Sequence, residues 1–240
     1  MKTLNQPLSG EQANWPALMQ RALELATRVV TTHPNPRVGC LLVHGNEVVG
    51  EGWHEAPGEV HAKVAALAAA ADRALGASAF VTLEPCAHQG RTGPCSQALI
   101  QAGVKEVIIA VLDPNPRVAG KGVRDLEEAG IPVFHLADFE AEARALNPGY
   151  FARREQGLPR VTIKLAMSLD GRTAMADGTS KWITGPEARG DVQRLRLQSS
   201  AIITGINTVL LDDPSLTLRP GGLTMSEDEK QRNKLMLERQ

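Results

Sequence analysis

The sequence predicts an α/β protein in which a three-layer α/β sandwich over residues 1–147 is followed by a second, shorter α/β segment. In the first segment, stretches with apolar residues at helical spacing alternate with short apolar runs typical of buried strands. A polar stretch with Pro and Gly near its ends then separates the two segments at 147–159. These observations favour two domains of mixed α/β structure.

Each predicted element of the first segment has a local signal. Pro16 suits the first turn of a helix, Gly45 marks a hairpin and Gly103 closes a helix. The second helix is rich in alanine, which loses no side-chain entropy on helix formation. In chain order the predicted elements are a helix over 15–30, strands at 40–43 and 47–51, a helix over 61–75, a strand at 79–83, a helix over 95–102, a strand at 106–111, a helix over 123–129 and a strand at 131–136.

The second segment has fewer and weaker signals. Apolar runs predict strands at 161–166 and 201–204, and a periodic stretch predicts a helix over 186–197. The residues 220–240 are mostly polar and charged, which is typical of a solvated tail. The expected organisation is a first domain over 1–147, a linker over 148–159, a second domain over 160–219 and the polar tail.

The composition excludes several classes of protein. Lys and Arg number 26 against 27 Asp and Glu, so the net charge of −1 argues against a general nucleic-acid or membrane-surface binder. No apolar run approaches the roughly 18 residues of a membrane helix, and the N-terminus lacks a signal-peptide pattern. Three cysteines do not indicate a disulfide framework. We therefore expect a cytoplasmic protein whose cysteines are core residues or metal ligands.

His61, Cys86 and Cys95 are the strongest chemical signal in the sequence. His61 opens the alanine-rich helix, Cys86 ends a strand in the string LEPC, and Cys95 opens the next helix. One imidazole and two thiolates are three ligands, which leave a fourth tetrahedral position open for water, as in catalytic zinc sites. The alternative is that both cysteines are buried thiols that bind no metal.

Longer strings around these residues connect the chain to a family. They are HPNPRVGC (33–40), GEVHAKVAAL (58–67), VTLEPCAHQGRTGPC (81–95), DPNPRVAGKG (113–122), KLAMSLDGRTA (164–174), SKWITG (180–185) and TVLLDDPSLTLR (208–219). In this order, over residues 18–219, they resemble the bifunctional deaminase–reductases of riboflavin biosynthesis. The resemblance implies a three-layer cytidine-deaminase-like sandwich followed by a partial dihydrofolate-reductase-like α/β domain.

The resemblance also implies two reactions and their cofactors. The first is hydrolytic deamination of 2,5-diamino-6-(5-phosphoribosylamino)pyrimidin-4-one, with Zn²⁺ held by His61, Cys86 and Cys95 and activating water. The second is reduction of the ribosyl side chain of the product with NADPH. The expected substrate-binding residues of the first site are Asn35, His54, His88, Asp113 and Asn115 at the pyrimidine and Arg91 and Thr92 at the phosphate.

Lys63 departs from the family pattern. Nucleobase deaminases have a glutamate two residues after the ligand histidine, where it carries protons between water, ring and leaving amine. A protonated lysine has no lone pair with which to accept the water proton. We expect a severely impaired deaminase that still binds zinc; the alternative is a desolvated, neutral Lys63 that acts as a base.

The second segment matches only the beginning of the family's reductase half. The positions expected to contact NADPH are Ala166, Trp182, Thr208 and Asp212. The positions expected to contact the phosphorylated substrate are Ser180, Arg196, Leu216 and Arg219. The alternatives are a core aromatic for Trp182 and an exposed helical charge for Arg196. Because no glycine-rich phosphate loop occurs between 160 and 240, we expect a C-terminally truncated and incomplete reductase domain.

Two other functions compete with this enzyme. A non-catalytic zinc-binding scaffold or substrate-binding module derived from it is favoured by Lys63 and by the short second segment. A deaminase acting on nucleic acid is disfavoured by the net charge and by an aromatic content of only 3%. The expected partners are a phosphorylated pyrimidine and further copies of the same chain, with no nucleic acid and no membrane.

Overall fold

A six-stranded mixed sheet organises the first part of the chain. The structure is a computed structural model that describes residues 1–4, 10–88 and 93–238. Of Glu11 it describes the backbone only. The chain divides into two units, Met1–Arg160 and Val161–Gln240. The strands of the first unit are β1 (Lys2–Leu4), β2 (Gly39–His44), β3 (Glu47–Trp53), β4 (Ser78–Val81), β5 (Glu106–Ile109) and β6 (Val133–Leu136).

The sheet has the strand order β1-β6-β5-β4-β2-β3. The strands β1, β6, β5 and β4 are parallel, whereas β2 is antiparallel to both β3 and β4. Parallel neighbours need crossover helices, and these cover the two faces of the sheet. The helices of the unit are α1 (Trp15–Thr27), α2 (Ala62–Ala70), α3 (Cys95–Gln101), α4 (Lys121–Glu128), α5 (Glu140–Leu146) and α6 (Pro148–Gln156).

The predicted three-layer sandwich is confirmed by the way the glycines of paired strands meet the helices. A Cβ on Gly39 would lie 2.0 Å from the Ala22 carbonyl oxygen of α1. A Cβ on Gly52 would lie 2.3 Å from the Ala62 carbonyl oxygen of α2. Gly39 and Gly52 lie on adjacent pairs of the β2–β3 ladder, so their missing side chains face opposite sides of the sheet.

The close contact of α2 with β3 explains the alanine content of that helix. Small residues let the helix lie directly on Gly50 and Gly52, and Ala62, Ala66 and Ala70 are buried there. His61 is the N-cap residue of α2, so the contact fixes the first turn of the helix relative to the sheet. The regular helix stops after Ala70 and continues as a 3-10 turn, rather than extending to 75 as predicted.

Several predicted boundaries change in the structure. β4 ends at Val81, so Cys86 lies in a loop and not at the end of a strand. β1 was not predicted, because three residues of sequence carry no signal for pairing with β6. The expected linker over 148–159 is largely the helix α6, which begins at Pro148 and is closed by Gly157 in a left-handed conformation.

The second unit contains helices but no strand among residues 161–238, so the strands predicted at 161–166 and 201–204 are wrong. Its helices are α7 (Pro186–Leu197, as predicted), α8 (Ile206–Asp212), α9 (Glu227–Arg232) and α10 (Lys234–Leu237). Val161, Ile163 and Leu165 have the alternating pattern of a strand, yet each is more than two-thirds exposed. A strand is stable only beside a partner strand, and in this unit the described residues provide none.

The expected polar tail is also partly structured. Ser226 and Glu229 form a reciprocal capping box at the start of α9, and Leu223, Met225 and Met236 are buried. None of the helices that the structure describes has the length and apolar character needed to cross a membrane.

Candidate active site

His61, Cys86 and Cys95 come together at one end of the sheet of the first unit. The His61 Nδ1 atom lies 3.2 Å from the Cys95 sulfur and 3.6 Å from the Cys86 sulfur. All three possible ligand atoms lie within 4.8 Å of one another. His61 reaches the cluster from the N-cap of α2, Cys95 from the first position of α3 and Cys86 from the loop after β4.

The donor set fits a zinc ion. Zn–S bonds of about 2.3 Å and Zn–N bonds of about 2.0 Å, at tetrahedral angles, separate the ligand atoms by roughly 3.5–3.8 Å. The two measured N–S separations are close to that range. Three protein ligands leave one position open, which is the arrangement of catalytic rather than structural zinc sites.

Hydrogen bonds lower the pKa of Cys86. The pKa of Cys86 falls well below its usual range, first because the Cys95 side chain is hydrogen-bonded to its sulfur and then because His61 is as well, although burial opposes both. The backbone N–H of Cys95, at the start of α3, also donates to the Cys86 sulfur at 3.4 Å. The lowered pKa favours the thiolate form of Cys86, which is the form that binds a metal ion.

A cavity of about 140 Å³ opens beside this cluster. It brings together all five residues that the sequence predicts for the pyrimidine, together with His61, Cys86 and Lys63. Its described lining residues are Pro34, Asn35, Pro36, Val38, His54, His61, Ala62, Lys63, Leu83, Glu84, Cys86, His88, Asp113, Asn115, Tyr150 and Arg154. Arg91 and Thr92, which were predicted to bind the phosphate, lie outside the described residues.

One wall of the cavity carries a pair formed by Asn35 and His54. The Asn35 side-chain amide nitrogen lies 3.0 Å from His54 Nε2, and His54 Nδ1 lies 3.0 Å from the Val60 carbonyl oxygen. A neutral imidazole that donates to Val60 and accepts from Asn35 satisfies both contacts. The pKa of His54 is lowered mainly by burial, which agrees with a neutral ring. Asn35 Oδ1 then remains to accept a hydrogen bond from a ligand.

Another part of the cavity lining is formed by Asp113 and Asn115, which are held in place by a turn and by α6. Asp113 Oδ1 accepts hydrogen bonds from the Asn115 backbone N–H at 2.9 Å and from the Tyr150 hydroxyl at 2.7 Å. Burial raises the pKa of Asp113, and these two donors partly offset that rise. Among the described residues no donor contacts Asp113 Oδ2, which leaves that oxygen for a ligand.

Lys63 is the second residue of α2 and lines the same cavity, and only 4% of its surface is exposed. Among the described residues no carboxylate lies within ion-pair distance of its ammonium group. Its positive charge contributes to lowering the pKa of Cys86 and opposes the rise in the pKa of Asp113. Lys63 thus brings a basic side chain into the cavity, at the position where the family resemblance led us to expect a glutamate.

Glu84 is the buried carboxylate nearest to Cys86 in sequence, but it has a structural role. Oε2 accepts from the backbone N–H groups of Asp113 and Gly120, and Oε1 accepts from those of Gly122 and Val123, at 3.0–3.3 Å. Both oxygens are therefore used to hold the loop that carries Asp113. Glu59, the other nearby carboxylate in the sequence, is exposed and is not among the lining residues given above. Neither residue replaces the missing glutamate.

Tyr150 and Arg154 line the cavity and were missed in the sequence analysis. Both lie on α6, which the sequence analysis treated as a linker because Asn147, Pro148 and Gly157 resemble loop residues. The same residues are also a helix-boundary signal, since Pro at the first position and Gly after the last position are typical of helix ends. That signal could have identified a helix, although it could not have placed the helix at the cavity.

The positions predicted for the second site are brought together only in part. Arg196 donates to the carbonyl oxygens of Ser215 and Thr217 at 3.1 and 2.8 Å, and Arg219 donates to that of Ser215 at 3.3 Å. Trp182 is 69% exposed and lies under the guanidinium of Arg189, so a core aromatic at this position is excluded. Ala166 and Leu216 are half-buried, and Ser180, Thr208 and Asp212 are exposed. These residues do not by themselves enclose an NADPH molecule.

Two family models match the chain. Residues 14–111 match the cytidine and deoxycytidylate deaminase zinc-binding region, and residues 159–239 match the RibD C-terminal domain. The zinc-ligand set, the cavity and the mixed sheet agree with the first match. The first unit is thus a cytidine-deaminase-like zinc domain, and zinc and NADPH are the cofactors that the two matched domains indicate.

Comparison with curated relatives narrows the class of deaminase-like proteins to which the chain is similar. The riboflavin biosynthesis protein RibD of Haemophilus influenzae is 57% identical over 203 residues, which are 84% of this chain and 54% of the relative. RibD of Escherichia coli is 56% identical over 202 residues, 84% of this chain and 55% of the relative. The chain is therefore of the RibD type, as its motifs predicted, and it spans about half the length of the curated relatives it matches.

Solved structures agree with that assignment. RibD of Acinetobacter baumannii gives a TM-score of 0.82 at 51% identity, covering 89% of this chain and 60% of that one. The diaminohydroxyphosphoribosylaminopyrimidine deaminase/5-amino-6-(5-phosphoribosylamino)uracil reductase of Thermotoga maritima gives 0.79 at 37% identity, covering 88% of this chain and 61% of that one. The Rib2 deaminase of Aspergillus oryzae, at 22% identity and a TM-score of 0.51, covers 60% of this chain and 96% of that one and shares the fold.

Proposed function

We propose that the first unit binds 2,5-diamino-6-(5-phosphoribosylamino)pyrimidin-4-one and is a deaminase domain of riboflavin biosynthesis. The observation that carries the proposal is the zinc-ligand set of His61, Cys86 and Cys95, of which His61 and Cys86 line a cavity that Asn35 and Asp113 also line. A bound zinc ion would supply Lewis acidity that activates water for attack on the ring carbon.

The cavity walls suit the hydrogen-bonding edge of a diaminopyrimidine. Asp113 Oδ2 is placed to accept a hydrogen bond from an exocyclic amino group, while the Tyr150 hydroxyl holds the other carboxylate oxygen. Asn35 Oδ1 is placed to accept from a second ring donor, while its amide nitrogen contacts His54. Each side chain is fixed by one partner before a ligand arrives, so little side-chain entropy is lost on binding.

Lys63 prevents efficient chemistry at this site. Deamination needs a group that takes a proton from water and delivers it to the ring and the leaving amine. An ammonium group has no lone pair for the first transfer, and Glu84 uses both of its oxygens elsewhere. We therefore propose that the chain binds the pyrimidine and zinc but turns the substrate over slowly.

The test is the deaminase rate of Lys63→Glu, measured beside the parent chain and Lys63→Gln with zinc content determined for all three. We expect Lys63→Glu to raise the rate by at least about 10²-fold, the typical contribution of a positioned acid–base group. Lys63→Gln removes the charge without providing a base and serves as the matched control. A parent rate that Lys63→Glu leaves unchanged would contradict the impaired-site proposal.

A second candidate function is a zinc-dependent binding module without catalysis, and the buried cation at position 63 favours it. The two candidates share the ligand and differ in turnover. If Lys63→Glu binds zinc and pyrimidine as the parent does but remains inactive, the module is the better description.

For the second unit we propose part of an NADPH-dependent reductase site, in which Arg196 and Arg219 bind the substrate phosphate. The two guanidinium groups share the Ser215 carbonyl oxygen, which places them close together. Paired guanidinium groups suit a phosphate dianion. We further propose that the chain acts in the cytoplasm and as a homo-oligomer, with the phosphorylated pyrimidine as its small-molecule partner.

A further inference from the structure

An arginine that the sequence analysis did not assign lies at the edge of the pyrimidine cavity. Arg154 belongs to the last turns of α6 and lines the cavity together with His88, Asp113 and Tyr150. The residue is exposed, so its guanidinium group is accessible from solvent as well as from the cavity.

The Arg154 charge is not neutralised by the protein. Among the described residues no carboxylate lies within ion-pair distance of its guanidinium group. The adjacent Glu155 points to a different cation, since Arg144 Nη1 donates to its Oε1 at 2.9 Å. The carboxylate of Asp113 accepts instead from Tyr150 and from the Asn115 backbone. Arg154 therefore adds net positive charge at the cavity edge.

Tyr150 holds Arg154 in place. The Arg154 guanidinium carbon lies 5.6 Å from the centre of the Tyr150 ring, within the range of a cation–π contact. The Tyr150 ring is itself fixed by its hydroxyl contact with Asp113 and by an edge-to-face contact with Phe151 at 5.9 Å. Burial raises the pKa of both Asp113 and Tyr150, and the nearby Arg154 charge opposes those rises.

The helix that carries these residues is anchored to the pyrimidine loop. The Arg37 backbone N–H donates to Asn147 Oδ1 at 2.7 Å, and Asn147 Nδ2 donates back to the Arg37 carbonyl oxygen at 2.8 Å. Because Arg37 lies two residues after Asn35, this reciprocal pair fixes the start of α6 relative to one wall of the cavity. Phe151 is buried in the core of the unit and fixes the next turn.

We propose that Arg154 binds the phosphate of the phosphorylated pyrimidine and makes the cavity selective for phosphorylated over unphosphorylated ligands. The inference rests on the proposed function, because it requires the pyrimidine ring to occupy the cavity. The proposal places the ring beside Asn35 and Asp113 and the ribosyl phosphate at the solvent-exposed edge of the cavity, where Arg154 lies. A guanidinium that contacts Tyr150 but no carboxylate among the described residues offers the planar, bidentate donors that phosphate oxygens accept.

The experiment measures the affinity of the zinc-loaded full chain for two probes by isothermal titration calorimetry. The probes are the phosphorylated substrate and its enzymatically dephosphorylated ribosylamino counterpart. The variants are Arg154→Gln, Arg154→Lys and the control Arg153→Gln, which removes a neighbouring exposed guanidinium that does not line the cavity. A thermal melt verifies that each variant folds as the parent does.

We expect Arg154→Gln to raise the Kd for the phosphorylated probe by about tenfold or more, in keeping with the loss of a charge-assisted contact. Its Kd for the dephosphorylated probe should match that of the parent, Arg154→Lys should recover part of the loss, and Arg153→Gln should bind both probes normally. Equal Kd values for Arg154→Gln and the parent, or equal losses for both probes, would overturn the inference while leaving the proposed function intact. A zinc-loaded parent that binds neither probe would overturn the proposed function and this inference with it.

Discussion

Electrostatics around single residues governs the candidate site. Lys63 places a buried cation in the first turn of α2, where the helix dipole disfavours positive charge by about 0.3–1 kcal/mol. The same charge lies near Cys86, whose pKa is lowered chiefly by its hydrogen bond to the Cys95 side chain. The positive charge of Lys63 thus contributes to the lowered pKa of Cys86, and under the proposed function the same residue stands where a deaminase needs a proton carrier.

At this scale we predict that the chain binds one equivalent of zinc through His61, Cys86 and Cys95. Cys86→Ser should lose the metal, because a serine hydroxyl is a far weaker zinc ligand than a thiolate. Cys40→Ser is the control: Cys40 is fully buried in the core and lies outside the cluster of His61, Cys86 and Cys95. Elemental analysis of the purified proteins checks the prediction, and zinc retained after loss of both Cys86 and Cys95 would refute it.

At the scale of elements, the first turn of α2 is placed by its contact with β3. The alternating glycines of β3 and the alanines of α2 are visible in the sequence, but only the structure shows that Gly52 packs against Ala62. The metal-ligand set of His61, Cys86 and Cys95 could be predicted from sequence because the strings around these residues resemble a known family, whereas the residue types alone left buried thiols as an alternative. The pairing of β1 with β6 could not, since it joins residues more than 130 positions apart.

We predict that Gly52→Ala destabilises the first unit by about 1–3 kcal/mol, the usual cost of overpacking a well-filled core. Its Cβ would lie 2.3 Å from the Ala62 carbonyl oxygen and 2.4 Å from the Ala66 nitrogen, so α2 must move and carry His61 with it. The zinc affinity should therefore fall together with the unfolding midpoint in urea.

Gly149→Ala is the matched control for that measurement. Gly149 lies in α6, and its nearest neighbour would be 3.9 Å from an added Cβ, so alanine fits there and favours the helix. Its unfolding midpoint should equal or exceed that of the parent. A Gly52→Ala protein with parental stability and zinc affinity would show that the α2–β3 contact does not position the site.

At the scale of the whole molecule, the two units differ in how much apolar surface they bury. The first unit has a core of buried aliphatic and aromatic side chains drawn from β2 to β6 and their helices, and Leu4 of β1 is partly buried against it. In the second unit Ile163, Leu169, Ile203 and Leu211 are each more than three-quarters exposed. Sequence reasoning predicted strands at 161–166 and 201–204 because their apolar patterns are those of buried strands. It failed there because strand formation depends on a neighbouring strand rather than on the segment itself.

This difference predicts the result of limited proteolysis with trypsin. The first cuts should fall at Lys164, Arg172 or Lys181, because these residues are exposed and lie in a stretch without helix or strand between 161 and 185. Trypsin sites within α1 and α4 should resist cleavage, because cutting there requires that helices packed on the sheet first open. The expected product is a resistant fragment that ends near residue 164, keeps its zinc and still binds the phosphorylated pyrimidine. Mass spectrometry of the fragments and metal analysis of the purified core check both parts. Early cuts inside α1 or α4, or a core that has lost its zinc, would contradict the prediction.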